Sequence, residues 1–266
     1  MVIAIIGLLA SIVLVSFKSV REKARLTKVL NFASQSYHAI GSGLVGYWDF
    51  NDNLDDISRN NEEGINYGVT FVEHNISPLI QSLRKAGYFD GNSYVEIPDS
   101  SGSLRGMRAL TIEFWINYEP FTSHENRTIL HKKDSFHAYL TGNGSVLAFN
   151  YYPTGYQDFG SYKLVPGKWH HVLVGWDYGP PMERMSYLNG ELMEHSTGVS
   201  GVNIGENNNP LLIGRGGGSN YVDFKGFIDG VRVYEEVLDL SQVQQLYAKE
   251  APKYGIVVEN QISNKK

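Results

Sequence analysis

The sequence predicts an all-β antiparallel sandwich preceded by a long N-terminal hydrophobic α-helix. Three observations carry this. Residues 44–247 break into roughly a dozen short β-favouring runs separated by Gly, Asn, Asp and Pro, with no helical pattern between them. The chain is rich in Gly (28) and Tyr (17), which suits strands and turns better than a helical bundle. Residues 1–17, MVIAIIGLLASIVLVSF, carry no charge.

As a helix, that first stretch spans ~26 Å, slightly under the ~30 Å of a bilayer core. A signal-peptide core needs a basic start and a small-residue cleavage site. Here Met1 leads straight into the apolar run and the basic residues follow it. The stretch therefore reads as a membrane anchor, ahead of a signal peptide or a buried soluble helix. From Lys18 to Ile40 the pattern turns amphipathic, with Val20, Ala24, Leu26, Val29, Leu30, Ala33, Tyr37 and Ile40 mostly three or four apart. Gly41-Ser42-Gly43 stops the helix. The expected domains are 1–43, the helix; 44–250, the sandwich; and 251–266, a C-terminal tail.

The strand runs follow in order: 44–50, 67–72, 86–97, 110–118, 127–131, 136–141, 145–152, 169–177, 184–188, 191–195, 210–214 and 224–234. Alternation in 110–118 sets Ile112, Phe114 and Ile116 on one face and Thr111, Glu113, Trp115 and Asn117 on the other. Asn189-Gly190 between two runs predicts a hairpin with a type I′ turn. Asp239 or Ser241 caps a short helix over Gln242 to Lys249, with Val243, Leu246 and Tyr247 as its apolar face. Tyr254 to Val258 reads either as one more strand or as disorder.

Charge and composition limit the chemistry. Residues 1–43 hold Lys18, Arg21, Lys23, Arg25 and Lys28 against Glu22 alone, while the whole chain is at −5. The acidic excess therefore lies in the sandwich, which argues against nucleic acid as a partner. There is no Cys, which excludes disulfides, Cys-ligated metals and a Cys nucleophile.

Two resemblances add to this. VIAIIGLLASIVLVS followed by a basic amphipathic stretch resembles the N-terminal helix of type IV pilins and pseudopilins. That family has a basic leader, a cleavage junction and an early Glu, none of which is present here. Met1 falls where the family is already inside the helix, so the start reads as truncated. The basic cluster after the apolar run, taken alone, holds the large domain in the cytoplasm; an upstream leader, as in pilins, reverses this. The second resemblance rests on LVGYWDFND, GYFDGNSYVEIPDS, LTIEFWIN, KWHHVLVGWD, YLNGELM and FIDGVRVYEEVLDLSQVQQLY. These strings are similar to the concanavalin A-like, laminin-G-like lectin/glucanase superfamily. This implies a jelly roll of two curved sheets, more often a carbohydrate- or protein-binding module than an enzyme.

Hydrolases of that superfamily place two acids on one strand, and retaining chemistry sets them ~5–5.5 Å apart. Glu235, Glu236 and Asp239 follow the last strand, and Asp52, Asp55 and Asp56 lie in a loop, so no catalytic residue is assigned. His170 and His171 are adjacent and point to opposite faces, so they read as structural. His124, His131, His137 and His195 show no zinc-site pairing. Asp229 lies in a strand expected to be buried and needs a partner. The resemblance implies a structural Ca²⁺ there, with Asp49, Asn51 or Asp52 and carbonyls near Asn66 or Gly68; Arg232 is the metal-free alternative. In 149–162, Tyr151, Tyr152, Tyr156 and Phe159, with Tyr221 from the loop 214–221, form a candidate sugar-stacking platform. The alternative for these rings is cross-strand pairing and core packing. The loop is not a phosphate loop, because no Lys-Ser/Thr follows it.

Together these predict a non-catalytic subunit of the cell envelope. A pilin-like anchor presents a lectin-like domain outside the cell or in a surface filament, as a homo- or hetero-oligomeric assembly. Its partners are a glycan or a surface protein, and the membrane through the helix. The alternatives are a membrane-tethered monomer without a filament and a divergent glycan hydrolase or lyase.

Overall fold

The computed structural model describes residues 43–73, 84–122, 125–141, 146–151, 159–198, 205–216 and 221–258. Of the helix expected over 1–43, all but Gly43 lies outside the described residues. Among those described, no helix is long and apolar enough to cross a membrane. In chain order the strands are β1 (Leu44–Trp48), β2 (Ile65–Tyr67), β3 (Thr70–Glu73), β4 (Lys85–Asp90), β5 (Tyr94–Ile97), β6 (Ala109–Tyr118), β7 (Asn126–Lys132), β8 (Phe136–Leu140), β9 (Val146–Tyr151), β10 (Phe159–Lys163), β11 (His170–Asp177), β12 (Met182–Leu188), β13 (Glu191–Gly198), β14 (Leu211–Ile213), β15 (Tyr221–Asp223) and β16 (Lys225–Tyr234). Helix α1 (Leu240–Glu250) and a 3-10 turn (Ala251–Tyr254) follow.

The strands form the expected sandwich of two sheets. The first runs β13-β12-β11-β6-β16-β4-β3, with β1 also paired to β16. The second runs β10-β9-β8-β7-β14-β5-β2, with β15 added in parallel to β7. Period-two alternation builds the core between them. Ile112, Phe114 and Ile116 of β6 join Val172, Val174 and Trp176 of β11 and meet Leu130, Phe149 and Ile213 of the second sheet.

Two predicted runs are each divided. Residues 67–72 break at Gly68, whose φ of 88° lies in the left-handed region that favours glycine. Residues 86–97 break at a turn where the Asp90 carboxylate accepts the N–H groups of Asn92 and Ser93. In both cases the two halves enter different sheets. The Asn189-Gly190 hairpin is as expected, with positive φ at both residues and Leu188 opposite Glu191. Asp239, rather than Ser241, caps α1 through a reciprocal box with Gln242.

Residues 254–258 do not form a strand. The turn at 251–254 seats the Tyr254 ring 3.9 Å from that of Trp115, on the β6 face opposite the core. Its hydroxyl donates to Asp229 at 2.8 Å. Tyr247 of α1 stacks on the same indole, and Trp169 and Ala251 complete a second apolar cluster.

Beside this cluster lies a buried charge network. The Glu113 carboxylate accepts Arg232 Nη1 at 2.9 Å and the Tyr234 hydroxyl at 2.8 Å, and lies 2.9 Å from His171 Nε2. Arg232 also donates to the Tyr47 hydroxyl and lies 3.5 Å from Glu250. Burial works against the charge on Glu113, but Arg232, His171 and Tyr234 outweigh it and hold the pKa down to about 2. As pH falls, the unfolded chain takes up this proton first, near 4.5. The stabilisation is therefore complete above about pH 4.5 and is lost between there and about pH 2. Glu113→Gln leaves the buried Arg232 with only the longer contact to Glu250, which Lys253 shares, and should cost about 3 kcal/mol at neutral pH. It should also remove this part of the acid limb, as measured by urea titration across pH.

Candidate functional site

The outer face of the second sheet carries a continuous row of opposed residues, polar at one end and mixed at the other. Leu211 and Ile213 of β14 are core residues, so Leu212 turns outward; Glu96 lies likewise between Val95 and Ile97, and His137 between Phe136 and Ala138. Strand register then sets Asn150, His137, His131, Leu212, Glu96 and Ile65 opposite one another in turn, across six strands. Directly opposed residues share a face. Exposure increases along the row, from buried Asn150 and His137 to Ile65 at 44%.

A cluster of rings stands on this row. The His137 ring lies 4.7 Å from that of His131, 5.0 Å from Tyr139 and 4.4 Å from Tyr221. Tyr139 meets Tyr221 edge-on at 5.3 Å. Thr128 Oγ1 and His137 Nε2 are 2.8 Å apart. Burial, helped by the neighbouring His131, pushes the His137 pKa down to about 3. Burial also lowers that of His131. Both imidazoles are therefore neutral at pH 7. Nδ1 of His131 is buried and has no hydrogen-bond partner among the described residues. Glu96 is the row's one carboxylate.

Of the predicted ligand residues, only Tyr221 has a described side chain. Tyr221 joins the ring cluster. Tyr151 and Phe159 lie on β9 and β10, opposite Phe136 and Phe149, while Tyr152 and Tyr156 lie outside the described residues. Phe149 and Tyr162, from the same aromatic segment, belong to the core, while the side chains of Tyr151, Tyr152, Tyr156 and Phe159 lie outside the described residues. Sequence reasoning missed the combination of His131, His137 and Tyr139. The signal was there in β8, where Phe136, Ala138 and Leu140 alternate with His137 and Tyr139.

The predicted metal acids are not gathered into a site. Asp229 accepts the Tyr254 hydroxyl and the Gly230 N–H. Asp49 accepts the Asn51 N–H and lies 3.8 Å from Arg84, and Asp52 pairs with Lys85 at 2.5 Å. Arg232, the alternative partner for Asp229, instead serves Glu113. Among the described residues no group of three or more His, Asp or Glu is placed to hold a metal. As arranged, these acids do not fit a calcium ion, which takes six to eight oxygens. The acid that organises the first loop is Asp56, which accepts the N–H groups of Tyr47, Ser58 and Glu62.

The family model described as the Concanavalin A-like lectin/glucanases superfamily matches residues 89–244. No curated protein matches the chain. Among solved structures, domain 4 of AbnA, a GH43 extracellular arabinanase from Geobacillus stearothermophilus, in complex with arabinotriose, aligns at TM-score 0.59 and 23% identity, covering 77% of this chain and 98% of that one. The binding domain of Paraclostridial Mosquitocidal Protein 1 aligns at 0.63 and 16%, covering 79% and 53%. The binding domain of botulinum neurotoxin DC in complex with rat synaptotagmin II aligns at 0.58 and 14%, covering 79% and 52%. The chain spans about half the length of those two toxin domains. At such identities the likeness is one of fold.

Two melting experiments check the Asp229 arrangement. The melting temperature should be the same in calcium and in chelator. Tyr254→Phe, which strips Asp229 of its hydroxyl donor, should lower stability by about 1–3 kcal/mol. A calcium-dependent rise that Asp229→Asn abolishes would restore the ion.

Proposed function

The chain belongs to the concanavalin A-like lectin/glucanase superfamily, and from that premise we propose that it is a non-catalytic module that binds a glycan on the ring-lined face of its second sheet. The observation that carries this is the cluster of Tyr139, Tyr221, His131 and His137 on a row with a single carboxylate. A sugar presents flat C–H faces and hydroxyl edges. The partly exposed Tyr221 ring suits the faces, and the partly exposed, neutral His131 imidazole suits the edges, with Tyr139, Thr128 and His137 packed beneath them. Cleavage of a glycosidic bond instead takes two carboxyl groups, ~5–5.5 Å apart for retention or ~6.5–9.5 Å for inversion; the row holds only Glu96, and the nearby Asp223 carboxylate is held by Arg215. The fold neighbours support a binding role: one is a domain in complex with arabinotriose, another a binding domain in complex with synaptotagmin. The latter keeps a surface protein as the second reading.

Residues 1–17 complete the proposal as a membrane anchor, and 18–40 as a pilin-like assembly helix, placing the sandwich outside the cell or in a surface filament. This part rests on the uncharged apolar run and the basic stretch after it. It is abandoned if the full chain runs as a monodisperse monomer without detergent.

Arrays of cello-, xylo- and arabino-oligosaccharides test the binding site. At least one series should retain the protein without releasing reducing ends. Tyr221→Ala should weaken retention about tenfold, or ~1.4 kcal/mol. Release of reducing sugar, or retention indifferent to Tyr221→Ala, overturns the proposal.

A further inference from the structure

A second set of rings lies at the other edge of the same sheet. Tyr67 of β2 is opposite Tyr94 of β5, and their rings stack 4.4 Å apart and 3° from parallel. Arg215, in the loop after β14, places its guanidinium 3.8 Å from the Tyr94 ring centroid. That guanidinium is held in turn by the Asp223 carboxylate, through Nε at 2.9 Å and through Nη2, and it donates to the Asn92 carbonyl at 3.0 Å. Asp223 stands two residues after Tyr221 on β15, on the same strand face. A run of flat groups therefore leads from Tyr139 and Tyr221, through the Asp223–Arg215 pair, to Tyr94 and Tyr67.

The outer end of this run is not core. Tyr67 is 43% exposed, and all three residues of β2 are exposed. An edge strand that shows an aromatic ring and an isoleucine, with neither Lys nor Pro, departs from the usual protection of sheet edges. Cross-strand pairing accounts for the contact between the two tyrosines. It leaves unexplained the neutralised, doubly anchored Arg215 that backs the stack and keeps it flat. A ring supported on one side and exposed on the other is what the C–H face of a sugar packs against. From β8 to β2 there are four strand spacings, or ~19 Å, a length that one sugar ring does not fill.

We propose that Tyr67 is the outer stacking subsite of an extended site for a linear oligosaccharide, whose chain crosses the second sheet from the Tyr221 cluster to β2. This rests on the reading of that face as a glycan site. The test is calorimetric titration of the full chain with the same three oligosaccharide series, from disaccharide to hexasaccharide. In the unmodified protein, affinity should rise with chain length. Tyr67→Ala should flatten that rise, weakening hexasaccharide binding about tenfold and leaving disaccharide binding unchanged. Tyr67→Phe, which keeps the ring, should retain the rise, and Tyr221→Ala should weaken every length. If Tyr67→Ala affects no length, or all lengths equally, the outer subsite is overturned and the Tyr221 site stands. If the unmodified protein binds none of the chains, both are overturned.

Discussion

An ionised carboxylate with no exposed surface sits at the centre of the first sheet, and much of the molecule is arranged to keep it paired. Taking such a charge out of water costs several kcal/mol even after relaxation. Glu113 therefore needs its whole set of partners: Arg232, His171 and Tyr234. These come from β16 and β11, the strands that flank β6. The network thus fixes which strands are neighbours as well as neutralising a charge. Arg232 extends it to Tyr47 on β1 and to Glu250 at the end of α1, where Lys253 completes the balance.

Shielding that network decides where a ligand can be met. Tyr247 of α1 and Tyr254 of the following turn lie against Trp115 and occupy the middle of the first sheet's outer face. The second sheet is different. Its outer row grades from buried Asn150 to exposed Ile65, and its histidines are uncharged because burial disfavours their protonation. The two faces therefore divide the labour. One spends its polar groups on one another, and the other carries partly exposed rings, neutral imidazoles and a single carboxylate, Glu96.

Much of the fold was legible in the sequence. Alternation in β6, the Asn189-Gly190 turn and a helix cap at Asp239 or Ser241 are local signals, and each was read from its own neighbourhood. The aromatic segment was not, because Phe149 and Tyr162 look the same in sequence whether they face core or solvent. Strand register decides that, and register depends on residues far along the chain. His137 shows the same limit. Its partners, His131, Tyr139 and Tyr221, come from three strands, and nothing near it in sequence announces Tyr221. Asp229 was rightly marked as needing a partner, but Tyr254 lies beyond the last predicted helix, in a stretch read as tail. The helix expected over 1–43 was read from composition, periodicity and the pilin resemblance, and all of it but Gly43 lies outside the described residues.

The distance along the chain between Glu113 and its guanidinium partner has a consequence for biosynthesis. They are 119 residues apart, which a ribosome adding ~5–20 residues per second takes ~6–24 s to traverse. For that interval the central strand of the first sheet is present without its guanidinium partner, His171 arriving partway, and Tyr254 comes later still. The nascent domain is thus held back from closing until its last turn has been made. Vectorial synthesis therefore leaves the sandwich unsealed until residues up to Tyr254 have emerged.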